Sequence, residues 1–249
     1  MTPEQKAELT EKLGLNTPWY ERFVNWIGEA VKGNLGYSIK HKKPVTQVIG
    51  DYTGPTLLLA LIALAISILL GVPIGVISAT KQYSFLDNAL TVFSLIGISI
   101  PSFFFGLLLL KNLAVDVQIF PLFGMKDPLL FNPTAWKKFI DIAWHLVLPS
   151  VVLGLGSTAT FMRYTRSSML EVIKQDYIRT ARAKGLKEKT VIYRHAFRNA
   201  IIPIITLLGF SIPTLLSGAV ITETIFALPG LGKISVEATL TRNYPLILG

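Results

Sequence analysis

The sequence predicts an all-α polytopic membrane protein, on three observations: scarce charge, four long charge-free windows, and a basic surplus confined to alternate segments. Only 16% of the 249 residues are charged, with a mean hydropathy of +0.52. Soluble domains carry about 25%. Disorder and an ordinary soluble enzyme are therefore disfavoured. The chain has no cysteine, which excludes a disulfide framework, a thiolate metal site and a cysteine nucleophile. Its three histidines, His41, His145 and His195, are scattered singly.

Residues 1–51 form the first segment. Residues 3–13 read as a short amphipathic helix opened by Pro3 and ended by Gly14. In Trp19–Val31, Trp19, Phe23, Trp26 and Ile27 share one face at helical spacing. That face suits either the headgroup level of a membrane or packing beneath an outer domain. Met1 is followed by a polar stretch, so no amino-terminal signal peptide is expected.

The windows follow in order. Tyr52–Thr80 is 29 residues without charge, Asn88–Leu110 is 23, Ile142–Met162 is 21 and Asn199–Thr222 is 24. A hydrocarbon core of ~30 Å needs about 20 apolar residues in a helix. Each window contains potential helix breakers: Gly71, Pro73 and Gly75; Pro101; Pro149, Gly154 and Gly156; Pro203, Gly209 and Pro213. Breaks are expected there, satisfied by neighbouring helices. Gly154-Leu-Gly156-Ser-Thr-Ala159 resembles a dinucleotide fingerprint in letters only. It lacks a preceding strand, and close helix packing through small residues is the expected role.

Four spans alternate the segments between two sides. Residues 81–87 and 163–198 carry 11 Lys/Arg against 4 Asp/Glu; residues 1–51, 111–141 and 223–249 carry 13 against 11. The first set is much shorter and thus more basic per residue, which makes it cytoplasmic. Lys184 and Lys187 are expected inside, Lys42 and Lys126 outside. Topology accounts for the basic surplus, so no nucleic-acid partner is expected.

The inner loop, Arg163 to Asn199, carries the most information. Met169, Leu170, Ile173, Tyr177 and Ala181 form an apolar stripe at helical spacing. Gly185 is expected to end that helix with a positive φ. A second helix starts near Glu188, with Val191, Ile192, Phe197 and Ile201 inward. The loop is thus a helix–turn–helix hairpin with Lys184, Gly185, Leu186 and Lys187 near its tip. A loop that merely set topology would need no such stripe.

DYIRTARAKGL (Asp176–Leu186) and RHAFRNAIIPIITLLG (Arg194–Gly209) closely resemble the permeases of ABC importers for dipeptides, oligopeptides and nickel, in particular the B-type membrane subunit. The likeness extends to LGLNTPWYERFVNWIGEAVKGNLGYSI, ISIPSFFFGLLLL, HLVLPS and ETIFALPGLGKISVEA, and so covers nearly the whole chain. It implies the core of a six-span type I importer permease. Residues 1–51 would be an outer helical segment, 52–222 the permease core with coupling loop 163–198, and 223–249 an outer segment leading to a last span. This chain is then expected to contain the central four spans.

The resemblance further implies that Asp176, Tyr177, Arg179, Thr180, Ala181, Arg182, Ala183, Lys184, Gly185 and Leu186 couple to a separate ATP-binding subunit. The general importer motif begins Glu-Ala-Ala, where this chain has Arg179, Thr180 and Ala181 and retains Gly185; that departure favours the peptide subgroup. The implied partners are a second homologous permease, ATP-binding subunits, an extracellular or periplasmic substrate-binding protein and the lipid of a prokaryotic plasma membrane. Peptides are the favoured cargo, nickel chelates the alternative.

We expect no catalytic residue, cofactor or metal. Gly230-Leu-Gly232-Lys233-Ile234 has Ala227 in place of the first P-loop glycine and Ile234 in place of its Ser/Thr. An ion-coupled carrier or channel would need ionisable groups in the spans, and His145 is the one candidate, with an interfacial place beside Trp144 expected for it. An intramembrane enzyme would need a base for Ser67, Ser94, Ser99, Ser157 or Ser211. The pore wall is expected around Ser99–Phe104, Gly154–Thr160 and Phe210–Ser217.

Overall fold

The computed structural model describes residues 18–249, with backbone alone at 212 and 214–218. The amphipathic stretch expected at 3–13 lies outside the described residues. The chain divides into two units, residues 18–52 with 235–249, and residues 53–234.

In the first unit, α1 (Trp19–Val31) forms where the aromatic spacing predicts it. Its apolar face is not covered: Trp19 is 72% exposed and Phe23 55%. A two-residue antiparallel hairpin follows, β1 (Tyr37–Ser38) with β2 (Lys43–Pro44), pairing Tyr37 with Pro44. Buried Asn243 holds the hairpin, donating to Ser38 Oγ at 2.7 Å and accepting from the Ile39 N–H at 3.2 Å. Lys40 pairs with Glu237.

The second unit is built on long helices. Among the described residues, two of them, α2 (Val45–Thr80) and α5 (Ala135–Ile173), are long and apolar enough to cross a membrane. At 36 and 39 residues they reach about 54–58 Å, well beyond a ~30 Å core. Between them, α3 (Phe85–Ser99) and α4 (Ser102–Leu109) meet at 96°, and α4 continues as a π-helical stretch, Leu110–Asp116. The fourth window lies inside α8 (Phe197–Ile225).

Most of the expected breaks do not occur. Pro73, Pro149, Pro203 and Pro213 lie within continuous helices. A proline inside a helix forfeits one hydrogen bond, a local loss that the flanking turns carry. Pro101 alone splits its span. The ring disfavours helical backbone at the residue before it, and Ile100 is extended at φ −77°, ψ 121°, leaving Pro101 to cap α4.

Glycines on α2 and α5 serve close packing. A Cβ on Gly71 would lie 2.7 Å from Thr158 O, and one on Gly75 2.7 Å from Met162 O. A Cβ on Gly154 would lie 3.0 Å from Ala63 O, which settles the nucleotide-like letters as a helix contact. Ser67 Oγ donates to both Ala63 O and Gly154 O, at 2.7 and 2.9 Å. Gly156 by contrast has open space beside it.

Candidate functional site

The inner hairpin begins where α5 ends. Lys174 and Gln175 turn the chain, and α6 (Asp176–Ala183) starts afresh. The residue spacing predicts one helix from 163 to 184, with Tyr177 in the apolar stripe. The break resets the helical phase. Tyr177 is 41% exposed, and Ile178 is fully buried in its place. Ile178 with Ala181 gives an i, i+3 apolar pair behind an acidic first-turn residue, Asp176; that local signal is present in the sequence.

Ile178 and Ala181 pack among Val76, Ala79, Met169, Val191, Ile192 and Ala196, so the hairpin is seated on α2, α5 and its own return limb. That limb is α7 (Glu188–Thr190), a π-helical stretch Val191–Ala196, then α8. Val191 and Ile192 are buried as expected, while Phe197 and Ile201 are half-buried.

The turn has the geometry expected of it. Gly185 sits at φ +73°. Its N–H donates to Arg182 O at 2.9 Å and that of Leu186 to Ala181 O at 3.4 Å, the paired bonds of a Schellman motif. Two side-chain contacts brace it. Arg182 is bidentate to Glu188, at 3.2 and 2.7 Å, and Asn199 Nδ2 donates to Tyr177 Oη at 2.7 Å. The Arg182 hydrogen bond holds the Glu188 carboxyl below its ordinary value. Of the ten residues expected to couple, Ala181 faces the core. Asp176, Tyr177, Arg179, Thr180, Arg182, Ala183, Lys184, Gly185 and Leu186 are all exposed on one short turn and its helix. Arg179 and Lys184 add positive charge to that surface.

A second feature lies mid-span. A cavity of about 540 Å³ opens at the α3–α4 break and is lined there by Pro101 and Ser102, by Gly156, Ser157 and Thr160 of α5, and by Phe210 and Ser211 of α8. All three expected wall segments contribute. Gly154 does not, being packed on α2, and Phe103 and Phe104 are about half exposed elsewhere. Among the described residues, no Asp, Glu, Lys or Arg lines the cavity. Its polar groups are hydroxyls and backbone.

Ser67, Ser94, Ser99 and Ser211 donate to backbone carbonyls. His145 is buried, with Nδ1 2.8 Å from Asp141 O and 3.2 Å from Asp141 Oδ1. The Gly230–Lys233 stretch is already occupied. The N–H groups of Gly232 and Lys233 donate to the buried Glu223 carboxylate, at 2.7 and 3.1 Å. A resident anion at that helix start repels a phosphate. Sequence reasoning misses Glu223, since its partners are backbone groups nine and ten residues away.

Residues 71–249 match the family of binding-protein-dependent transport system inner membrane components. The chain is 43% identical over 244 residues to the oligopeptide transport system permease protein AppB of Bacillus subtilis, covering 98% of this chain and 76% of that protein. It is 38% identical over 265 residues to the dipeptide transport system permease protein DppB of Escherichia coli, covering 100% and 78%. The fold is similar to a chain of the MetNI methionine ABC transporter in an inward-facing conformation, with TM-score 0.60 over 81% of this chain and 88% of that one at 17% identity. The chain belongs to the family of binding-protein-dependent transport system inner membrane components.

Proposed function

We propose that this chain is a translocation subunit of an ATP-driven importer for di- or oligopeptides in a bacterial plasma membrane. The observation that carries the mechanism is the hairpin. An eight-residue helix is anchored by two buried residues and presents an exposed, basic, Schellman-capped turn. In this reading the turn docks on a separate ATP-binding subunit. Thr180, Ala183 and Gly185 allow close approach, and Arg179 and Lys184 meet acidic groups. Motion of the ATP-binding subunit enters through Ile178 and Ala181 into α2 and α5.

The peptide reading is supported by the names of the relatives. The uncharged cavity fits it: a mostly apolar wall dotted with the hydroxyls of Ser102, Ser157, Thr160 and Ser211 does not select a side-chain charge. The remaining wall would come from a second, homologous permease, with cargo delivered by a substrate-binding protein. ATP is hydrolysed elsewhere, because the one P-loop-like stretch is filled by Glu223.

Contacts between segments support the charge-based topology. Asp87 pairs with Arg166, joining the two basic segments. Gly124 N–H donates to Phe226 O at 2.9 Å, joining two of the others. Lys40 pairs with Glu237, joining the first and last segments.

Gly185→Val tests the docking role. Its left-handed conformation costs a non-glycine residue roughly 1–2 kcal/mol, and the spans lie outside the turn. The variant is expected to insert normally, retain little ATP-binding subunit on the membrane and transport little. Normal transport at normal expression would reduce the turn to a connector.

A further inference from the structure

Only two residues of α3 are buried, and neither is apolar: Asp87 and Ser94. Val92, Phe93, Leu95 and Ile96 are each at least half exposed. Its large apolar side chains lie at the surface while it runs along α5, where a Cβ on Gly97 would lie 3.9 Å from Ala159 Cβ, and its far end, through Gly97 and Ile98, borders the cavity.

Its near end is held by charge. Asp87 is 1% exposed. Arg166 of α5 approaches it with both limbs of the guanidinium, Nε to Oδ1 at 2.7 Å and Nη2 to Oδ2 at 2.8 Å. The Ser78 hydroxyl at the end of α2 donates to the same carboxylate. So does the backbone N–H of Tyr83, at 3.0 Å, from a turn residue at φ +64°. One carboxylate thus gathers donors from α2, the turn and α5. The fork is planar and bidentate, so it fixes orientation as well as distance.

Arg166 stands three residues before Met169, which packs with Ile178 and Ala181 of the hairpin. Beside it, Thr165 lies against α2, where a Cβ on Gly75 would come within 2.6 Å of the Thr165 Cβ. The inner ends of α2 and α5 and the base of the hairpin are therefore one packed block, and the Asp87–Arg166 pair ties the near end of α3 to it.

We infer that Asp87 and Arg166 are positioning residues for transport, the clasp that makes α3, a wall of the cavity, follow the coupling hairpin. This rests on the docking role proposed above for the hairpin. Loss of the clasp leaves the ATP-binding subunits bound and turning over ATP while the cavity wall no longer tracks them.

The test uses the complete transporter, with its binding protein, in proteoliposomes. Peptide uptake, ATP turnover and retained ATP-binding subunit are measured together. Asp87→Asn is expected to keep the subunits and the turnover, with uptake per ATP falling about fivefold or more. Arg166→Lys keeps the charge without the fork and is expected to fall by less, with normal retention. Uptake and turnover dropping in equal proportion in either variant, or an unchanged ratio in Arg166→Lys, overturns the clasp. That second variant decides the matter even if Asp87→Asn fails to accumulate. Gly185→Val in the same assay separates the two ideas. If it sheds the ATP-binding subunit while Arg166→Lys has a normal ratio, the docking role stands and the clasp falls. If it transports normally, the docking role falls.

Discussion

Two glycine-bearing turns in this protein, one after the short α6 and one after the long α8, are built in opposite ways. At Gly185 an added Cβ would meet nothing within 4 Å. At Gly232 it would collide with Val220 Cα, and at Gly230 with the Glu223 carboxyl. The inner turn keeps its glycine for conformation and leaves its surface empty. The closing turn keeps its glycines for space and folds its surface inward around a buried carboxylate. An open turn stapled by a surface ion pair suits a surface that another molecule covers. A filled turn, with Thr56 Oγ1 also donating to Glu223 at 2.5 Å, suits a permanent lock between α2, α8 and the start of α9 (Leu231–Leu240).

The same substitution at both turns tests that contrast. Gly232→Ala forces a methyl into backbone and is expected to destabilise the fold by about 3 kcal/mol, so that little protein accumulates in the membrane. Gly185→Ala has room and loses only the φ freedom, about 1 kcal/mol; it should accumulate normally. Quantifying the inserted protein of both variants checks this. Equal accumulation would mean that the closing turn is no tighter than the inner one.

The smallest effect belongs to Arg182 and Glu188. The hydrogen bond from Arg182 holds the Glu188 carboxyl below its ordinary value of 4.5. Its contribution is therefore fully present above that value and lost as pH falls through the lowered one. Exposed pairs of this kind contribute about 0.2–1 kcal/mol. Retention of the ATP-binding subunit should weaken slightly for the native chain only below about pH 4.5, and Glu188→Gln should remove that pH dependence. An identical profile in both would take the pair out of the turn's support.

What is legible in the sequence follows from range. Charge-free windows report burial in lipid, so the four helical regions can be read from composition. Gly185 is a local necessity, and its turn reads directly from the residues around it. Prolines mislead because a single missing hydrogen bond does not decide a long helix; only at Ile100-Pro101 does the backbone leave the helical region. The phase of α6 escapes the spacing because a two-residue interruption at Lys174 and Gln175 carries neither glycine nor proline. Glu223 and the Asp87–Arg166 pair are out of reach, since their partners are set by tertiary packing. The cavity lies between: its three wall segments can be named, but Gly154 and Gly156, two residues apart, cannot be sorted into packing and lining.

The docking role proposed for the hairpin requires that an ATP-binding subunit cover the inner turn. In this cysteine-free chain, Ala183→Cys places one exposed thiol there, and a thiol-attached photo-crosslinker can be activated in the assembled transporter. The expected product is an adduct with the ATP-binding subunit, with none from the same reagent at Lys126→Cys. Labelling at position 183 without that adduct, or the adduct forming from position 126 instead, would contradict the claim.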